Sequence, residues 1–150
     1  MSVTRVRGYA SVFGNVDSYG EVVDAGAFSG WLADNPDTAV PIFWEHDHVF
    51  SAENPATPIG KTTMLRQDET GLYYEGELAD TPKAQEIAAL LKQGAIQGAS
   101  FAFRVQDSYE KNEVTHLSAL SLREISPVNW GANDKAYIEA IPDQEKTEDE

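Results

Sequence analysis

Apolar and polar positions alternate through much of the chain. Residues 3–13, VTRVRGYASVF, read as a strand. Glycine, asparagine and aspartate then mark turns through GNVDSYGEVVDAG. Asp24 is placed to cap a short helix through AGAFSGWLADN, with Phe28, Trp31 and Leu32 facing inward and Pro36 just past its end. TAVPIFWEHDH reads as a strand from about Val40, with Ile42, Trp44, His46 and His48 on one face. After a loop containing Pro55 and Pro58, IGKTTMLRQDETGLYYEGELA reads as a hairpin turning at Asp68–Gly71. The clearest helix is PKAQEIAALLKQ. Thr81 is its N-cap, Pro82 its first residue and Gly94 its C-terminal cap, and Ala84, Ile87, Ala88 and Leu91 form its apolar stripe.

A strand over 95–105 follows, then a polar loop around DSYEKNE, a strand through HLSALSLREISPV, and AYIEAI as the closing strand. Six or more strands with two helices predict an α+β, mainly β domain. Its expected architecture is a closed or partly closed antiparallel barrel with flanking helices.

Composition narrows the class. With 41% hydrophobic and 24% charged residues over 150 positions, one globular domain with one core is expected. No cysteine is present, which excludes disulfides, thiolate metal sites and cysteine nucleophiles. No apolar run approaches the roughly 20 residues of a membrane span, and the N-terminus lacks the apolar block of a signal peptide. The net charge of −14 argues against nucleic-acid binding by phosphate neutralisation. Five acids and one lysine crowd into DQEKTEDE at 143–150. The folded domain is therefore expected over 1–141, with 142–150 an acidic, disordered tail or linker.

Two strands carry unusual chemistry. In GAIQGASFAF, Ala99, Phe101, Phe103 and Val105 form one face, and Gly98, Ser100, Ala102 and Arg104 the other. The hydroxyl thus sits on a nearly empty face. In LSALSLREISPV, Leu120, Leu122, Glu124, Ser126 and Val128 share a face, so Glu124 points where leucines point. A carboxylate there requires a partner. An arginine such as Arg104 or Arg5 is one choice; a histidine is the other. Ser100, His46 and Glu124 together form a possible Ser–His–acid set. The spacing alone is also compatible with a satisfied core hydroxyl at Ser100 and with polar residues ending a strand at His46 and His48. No G-x-S-x-G elbow is present. A metal reading would use His46 and His48 with carboxylates, although no third ligand follows from spacing.

Five ordered blocks resemble the prohead proteases of tailed bacteriophages. They are GYASVFGNVDSYGEVVDAGAF at 8–28, FWEHDH at 43–48, PIGK with GLYYEGEL at 58–78, LLKQGAIQGASFAF at 90–103, and LREISPVNWGAN at 122–133. The resemblance implies an assemblin-like fold, as in the herpesvirus proteases. It also implies a serine endopeptidase that cleaves scaffold and capsid precursors, with self-cleavage. His46 becomes the expected base and Ser100 the nucleophile. Glu124 is the candidate third member, with His116 and His48 as rivals. Backbone amides near Ala132 and Asn133 are the candidate oxyanion hole. No cofactor or metal is called for. Capsid and scaffold precursors are the expected partners, with self-association, and the expected setting is the assembling procapsid in the host cytoplasm. The alternatives are an inactive relative serving as an assembly or scaffolding module, and a metal-dependent hydrolase.

Overall fold

Strand β7 (Val114–Val128) is the backbone of the fold, because among the described residues it alone pairs with three other strands. The computed structural model describes residues 3–47 and 57–142. The other strands are β1 (Thr4–Val12), β2 (Glu21–Val23), β3 (Pro41–Ile42), β4 (Gly60–Gln67), β5 (Gly71–Leu78), β6 (Gly98–Lys111) and β8 (Tyr137–Ala140). Pairing runs β7-β3-β4-β5-β1-β8-β6 and returns to β7, closing a seven-strand barrel, while β2 adds to the far end of β7. Closure leaves no long exposed ladder around the ring. The expected barrel with flanking helices is thus observed. One pairing of the ring is parallel, however, β3 with β7, as is that of the added β2 with β7.

The helix Pro82–Gln93 (α2) forms as its sequence dictates. Thr81 Oγ1 accepts from the Ala84 amide at 3.3 Å, Pro82 opens the first turn, and Ala84, Ile87, Ala88 and Leu91 are buried. Gly94 ends it at φ 87°, a left-handed conformation that costs a side-chain-bearing residue about 1 kcal/mol or more. The β4–β5 hairpin also turns where expected. Asp68 Oδ1 accepts from the amides of Thr70 and Gly71, and its Oδ2 accepts from the Tyr9 hydroxyl at 2.6 Å.

Three expectations are corrected. First, the segment after β3 is not a strand. The regular strand ends at Ile42, and Glu45 and His46 adopt φ 52° and 54°. The period-2 pattern of FWEHDH therefore belongs to a turn; His48 itself lies outside the described residues. Second, Asp24 does not cap the first helix, α1 (Ser29–Asp34). Its carboxylate accepts instead from His116 Nδ1 at 2.8 Å and the Tyr109 hydroxyl at 3.0 Å. Phe28 is fully buried, and Trp31 and Leu32 pack partly against the core, so the inward face is as expected. Third, the polar stretch 106–111 is strand. β6 and β7 continue as a two-stranded ribbon and turn at Asn112–Glu113, both at positive φ, the geometry of a tight hairpin. This ribbon extends past the packed core, which is why Val105 is half exposed rather than buried.

The tail expected over 142–150 falls beyond the described residues from position 143. Among the described residues, no helix is long and apolar enough to cross a membrane.

Candidate active site

The site begins with a buried carboxylate. Glu124 is 1% exposed, on the stretch of β7 that lies between β3 and β6. An ionised carboxylate in such a place is stable only when donors surround it. Its Oε1 lies 2.9 Å from His46 Nδ1 and accepts from the Ala102 amide at 3.0 Å. Its Oε2 accepts from the Ser126 hydroxyl at 2.6 Å, a charge-assisted length.

The histidine arrives by a strained path. Two consecutive left-handed residues, Glu45 and His46, cost about 1–2 kcal/mol each. Bonds to the end of β7 hold them. Phe43 N–H donates to Ile125 O at 3.1 Å, and Glu45 N–H to Pro127 O at 3.1 Å. His46 N–H donates to Ser126 Oγ at 3.2 Å, and Glu45 Oε1 accepts from the Asn129 amide at 2.7 Å. Lys83 of α2 pairs with Asp47 at the end of the turn. Strain of this kind, overdetermined by neighbours, is characteristic of functional sites.

The tautomer follows from the donors. Glu124 Oε2 accepts a hydrogen bond from the Ser126 hydroxyl, whose Oγ in turn accepts from His46 N–H. Glu124 Oε1 already accepts an amide, so His46 Nδ1 carries the proton donated to it. The other ring nitrogen, Nε2, then holds a lone pair when the imidazole is neutral.

Ser100 and His46 line one cavity of about 350 Å³. Ser100 stands opposite Ser126 in the β6–β7 ladder, and Ala99 beside it is buried. The deeper wall is apolar, with Phe101, Phe103, Val23 and Leu117. Asp17, Glu21 and Glu45 add carboxylates. Burial pushes the Glu21 carboxyl above its ordinary range, and the charge of Asp17 adds to the shift. Tyr19 and Trp130, 78% and 92% exposed, also line the cavity.

The turn over 129–133 meets the serine strand closely. A Cβ on Gly131 would lie 2.8 Å from the Ala99 carbonyl oxygen, so only glycine permits this approach without a shift. Ala132 and Asn133, the candidate oxyanion residues, line the same cavity. Asn133 exchanges two side-chain hydrogen bonds of 3.1 Å with Asn15, and Ser18 N–H donates to Ala132 O at 3.0 Å. These bonds lock the turn to the 14–20 loop.

The structure thus brings Ser100, His46, Glu124, Ala132 and Asn133 to one region. His116 is turned elsewhere: its Nδ1 pairs with Asp24, and its ring stacks on Tyr109 at 4.7 Å. His48, the other rival, lies outside the described residues. The partner of Glu124 is a histidine. Of the arginines considered for it, Arg104 is exposed and Arg5 donates to the Pro142 carbonyl. The donor set of a metal site is not gathered: among the described residues, no three histidine or carboxylate side chains cluster. Sequence reasoning assigned nothing to Ser126, although its place two residues after Glu124 on the same strand was a usable signal.

Comparison with known proteins bears on the family and the fold. The sequence pattern of the Caudovirus prohead serine proteases matches residues 2–150. The prohead protease of Enterobacteria phage HK97 is 36% identical over 138 residues, covering 89% of this chain and 58% of the phage protein. This chain therefore spans little more than half the length of that relative. Among solved structures, KSHV protease bound to a hexapeptide phosphonate inhibitor superposes with a TM-score of 0.59. It is 15% identical, over 95% of this chain and 66% of that one. Varicella-zoster virus protease gives 0.54 at 9% identity, over 91% and 63%. At such identities these two establish the shared fold alone. The match over nearly the whole chain, together with 36% identity to a phage relative, places this chain in the Caudovirus prohead serine protease family.

Proposed function

We propose that the chain is a serine endopeptidase of phage capsid maturation, with Ser100 as nucleophile, His46 as base and Glu124 as the acid that orients it. The observation that carries this reading is the 2.9 Å contact between His46 Nδ1 and Glu124, with His46 and Ser100 on the wall of one cavity. His46 Nε2 removes the Ser100 proton as Oγ bonds to the peptide carbonyl carbon. Glu124 stabilises the resulting imidazolium. Backbone amides of the 131–133 turn receive the oxyanion, where each donor is worth about 10²–10³ in turnover. The C–N bond breaks, and the imidazolium proton passes to the leaving amine. Water, deprotonated by His46, then releases the acyl group and restores Ser100.

The substrates are scaffold and capsid precursors, including the chain's own precursor, and self-association accompanies assembly inside the procapsid in the bacterial cytoplasm. The domain responsible is residues 1–141. The matching phage relative, named for the prohead, and the family membership support the capsid-maturation setting.

The test is co-expression with the phage's capsid and scaffold precursors, beside labelling by a fluorophosphonate probe. Wild type should process the precursors and label at Ser100. Ser100→Ala should do neither while still folding and assembling. Processing by Ser100→Ala at the wild-type rate would overturn the assignment. A folded wild-type chain that neither labels nor cleaves, yet assembles, would point to the assembly-module alternative.

A further inference from the structure

We infer that Ser126 is a positioning residue of the hydrolytic site, one hydroxyl that sets both the backbone of His46 and the plane of the Glu124 carboxylate. This rests on the peptidase reading and deepens it.

The hydrogen bonds form a closed circuit. His46 N–H donates to Ser126 Oγ at 3.2 Å, and Ser126 Oγ–H donates to Glu124 Oε2 at 2.6 Å. The other oxygen of that carboxylate meets His46 Nδ1 at 2.9 Å. Ser126 thus touches His46 twice, directly through the main chain and indirectly through the ring.

Each link has a physical consequence. His46 sits at φ 54° next to Glu45 at φ 52°, a conformation that relaxes unless its amide is held. Glu124 has free rotation about its terminal torsion until both oxygens have donors. Ala102 and His46 occupy Oε1, and Ser126 occupies Oε2. Removing the hydroxyl takes away a charge-assisted donor from this buried carboxylate and loosens the hold on its plane.

Ser126 is itself fully buried and faces Ser100 across the β6–β7 ladder. The element that carries the nucleophile is therefore bonded in register to the element that carries the pin. The reach between Ser100 and the ring depends on a rigid part of the barrel rather than on the turn alone. A displacement near 1 Å in such an arrangement costs about 100-fold in rate.

The test compares wild type, Ser126→Ala, Ser126→Cys, Ser100→Ala and Glu124→Ala in the full chain. Phosphonylation by a fluorophosphonate probe is measured across probe concentration, giving a maximal rate and a half-saturating concentration. Side-chain proton NMR reads the hydrogen-bonded Nδ1–H of His46. Ser126→Ala should lower the maximal rate about 10- to 100-fold. Half-saturation should move less than about 3-fold, because Ser126 does not touch the probe. The Nδ1–H resonance should broaden or vanish in Ser126→Ala and persist in Ser100→Ala. Adding Ser126→Ala to Glu124→Ala should change the rate by less than about 3-fold, since the two act as a unit.

A folded Ser126→Ala protein with the wild-type maximal rate and an intact resonance overturns the inference. If Ser126→Ala unfolds, Ser126→Cys carries the comparison, with a somewhat larger side chain that fills the site and a poorer donor; a wild-type maximal rate there overturns it equally. Labelling of Ser100→Ala at the wild-type rate would instead bring down the peptidase reading, while the resonance would still report on Ser126.

Discussion

The Ala102 amide donates to Glu124 Oε1 at 3.0 Å, the same oxygen that meets the His46 ring. One atom therefore joins the strand of the nucleophile to the residue proposed as its base. Glu124→Gln replaces that acceptor pair by an amide and disturbs the histidine tautomer. Turnover should fall about 10³–10⁴-fold, as for other triad acids. By contrast His116→Gln, which loses only the pairing with Asp24, should keep turnover within about 3-fold of wild type, a loss too small for a triad member. Probe labelling rates on the two purified variants check both outcomes. A larger loss in His116→Gln than in Glu124→Gln would exchange their roles.

Gly131 approaches the serine strand where no side chain fits. Gly131→Ala would place its Cβ 2.8 Å from the Ala99 oxygen and force the 129–133 turn outward. Overpacking of this kind costs about 1–3 kcal/mol of stability. Turnover should fall further than stability suggests, by about 100-fold, because the displaced amides are those proposed for the oxyanion. Urea unfolding and precursor processing, measured together, separate the two effects.

Helix α2 offers a stability control, because neither of its caps, Thr81 and Gly94, lines the cavity of Ser100 and His46. Thr81→Ala should destabilise by about 1 kcal/mol through loss of the N-cap. Gly94→Ala should cost about the same through left-handed strain. The helix separates these positions by about 20 Å, so their effects should add. Labelling of Ser100 at 25 °C should be unchanged in either variant. Chemical denaturation midpoints are the measurement.

The Tyr9–Asp68 bond makes stability depend on acid. Burial pushes the Asp68 carboxyl up, yet the Tyr9 hydroxyl, the Gly71 and Thr70 amides and the Arg66 charge together hold it below its ordinary range. A depressed carboxyl adds stability that is complete above the unfolded value of about 3.9. That stability is lost as pH falls through the lower folded value. The gap in thermal midpoint between wild type and Tyr9→Phe should be constant from pH 5 to 8, a range within which neither group titrates, and should narrow below about pH 4 as Asp68 takes up a proton. A gap that widens on acidification would show that Asp68 is not the partner responsible.

What the amino-acid sequence determines here is local. α2 carries its own cap, stripe and terminator, so it forms where the pattern places it. The β4–β5 hairpin has its turn chemistry in Asp68 and Gly71. The odd placement of Glu124 among leucines and of Ser100 on a small face is visible in period-2 spacing, and ordered blocks connect them with His46.

Contacts between distant segments decide the rest. FWEHDH alternates like a strand, but bonds from β7, 80 residues away for Ser126 and His46, hold Glu45 and His46 in a left-handed turn. Asp24 looks like a cap until His116, 92 residues on, claims its carboxylate. The polar 106–111 stretch becomes strand because β7 supplies every ladder partner. Which base takes Glu124, and which glycine must stay bare beside Ala99, depend on closure of the barrel. A local pattern encodes only which face a residue prefers. Closing the ring determines which faces meet, and the buried carboxylate then takes the donors that stand opposite it.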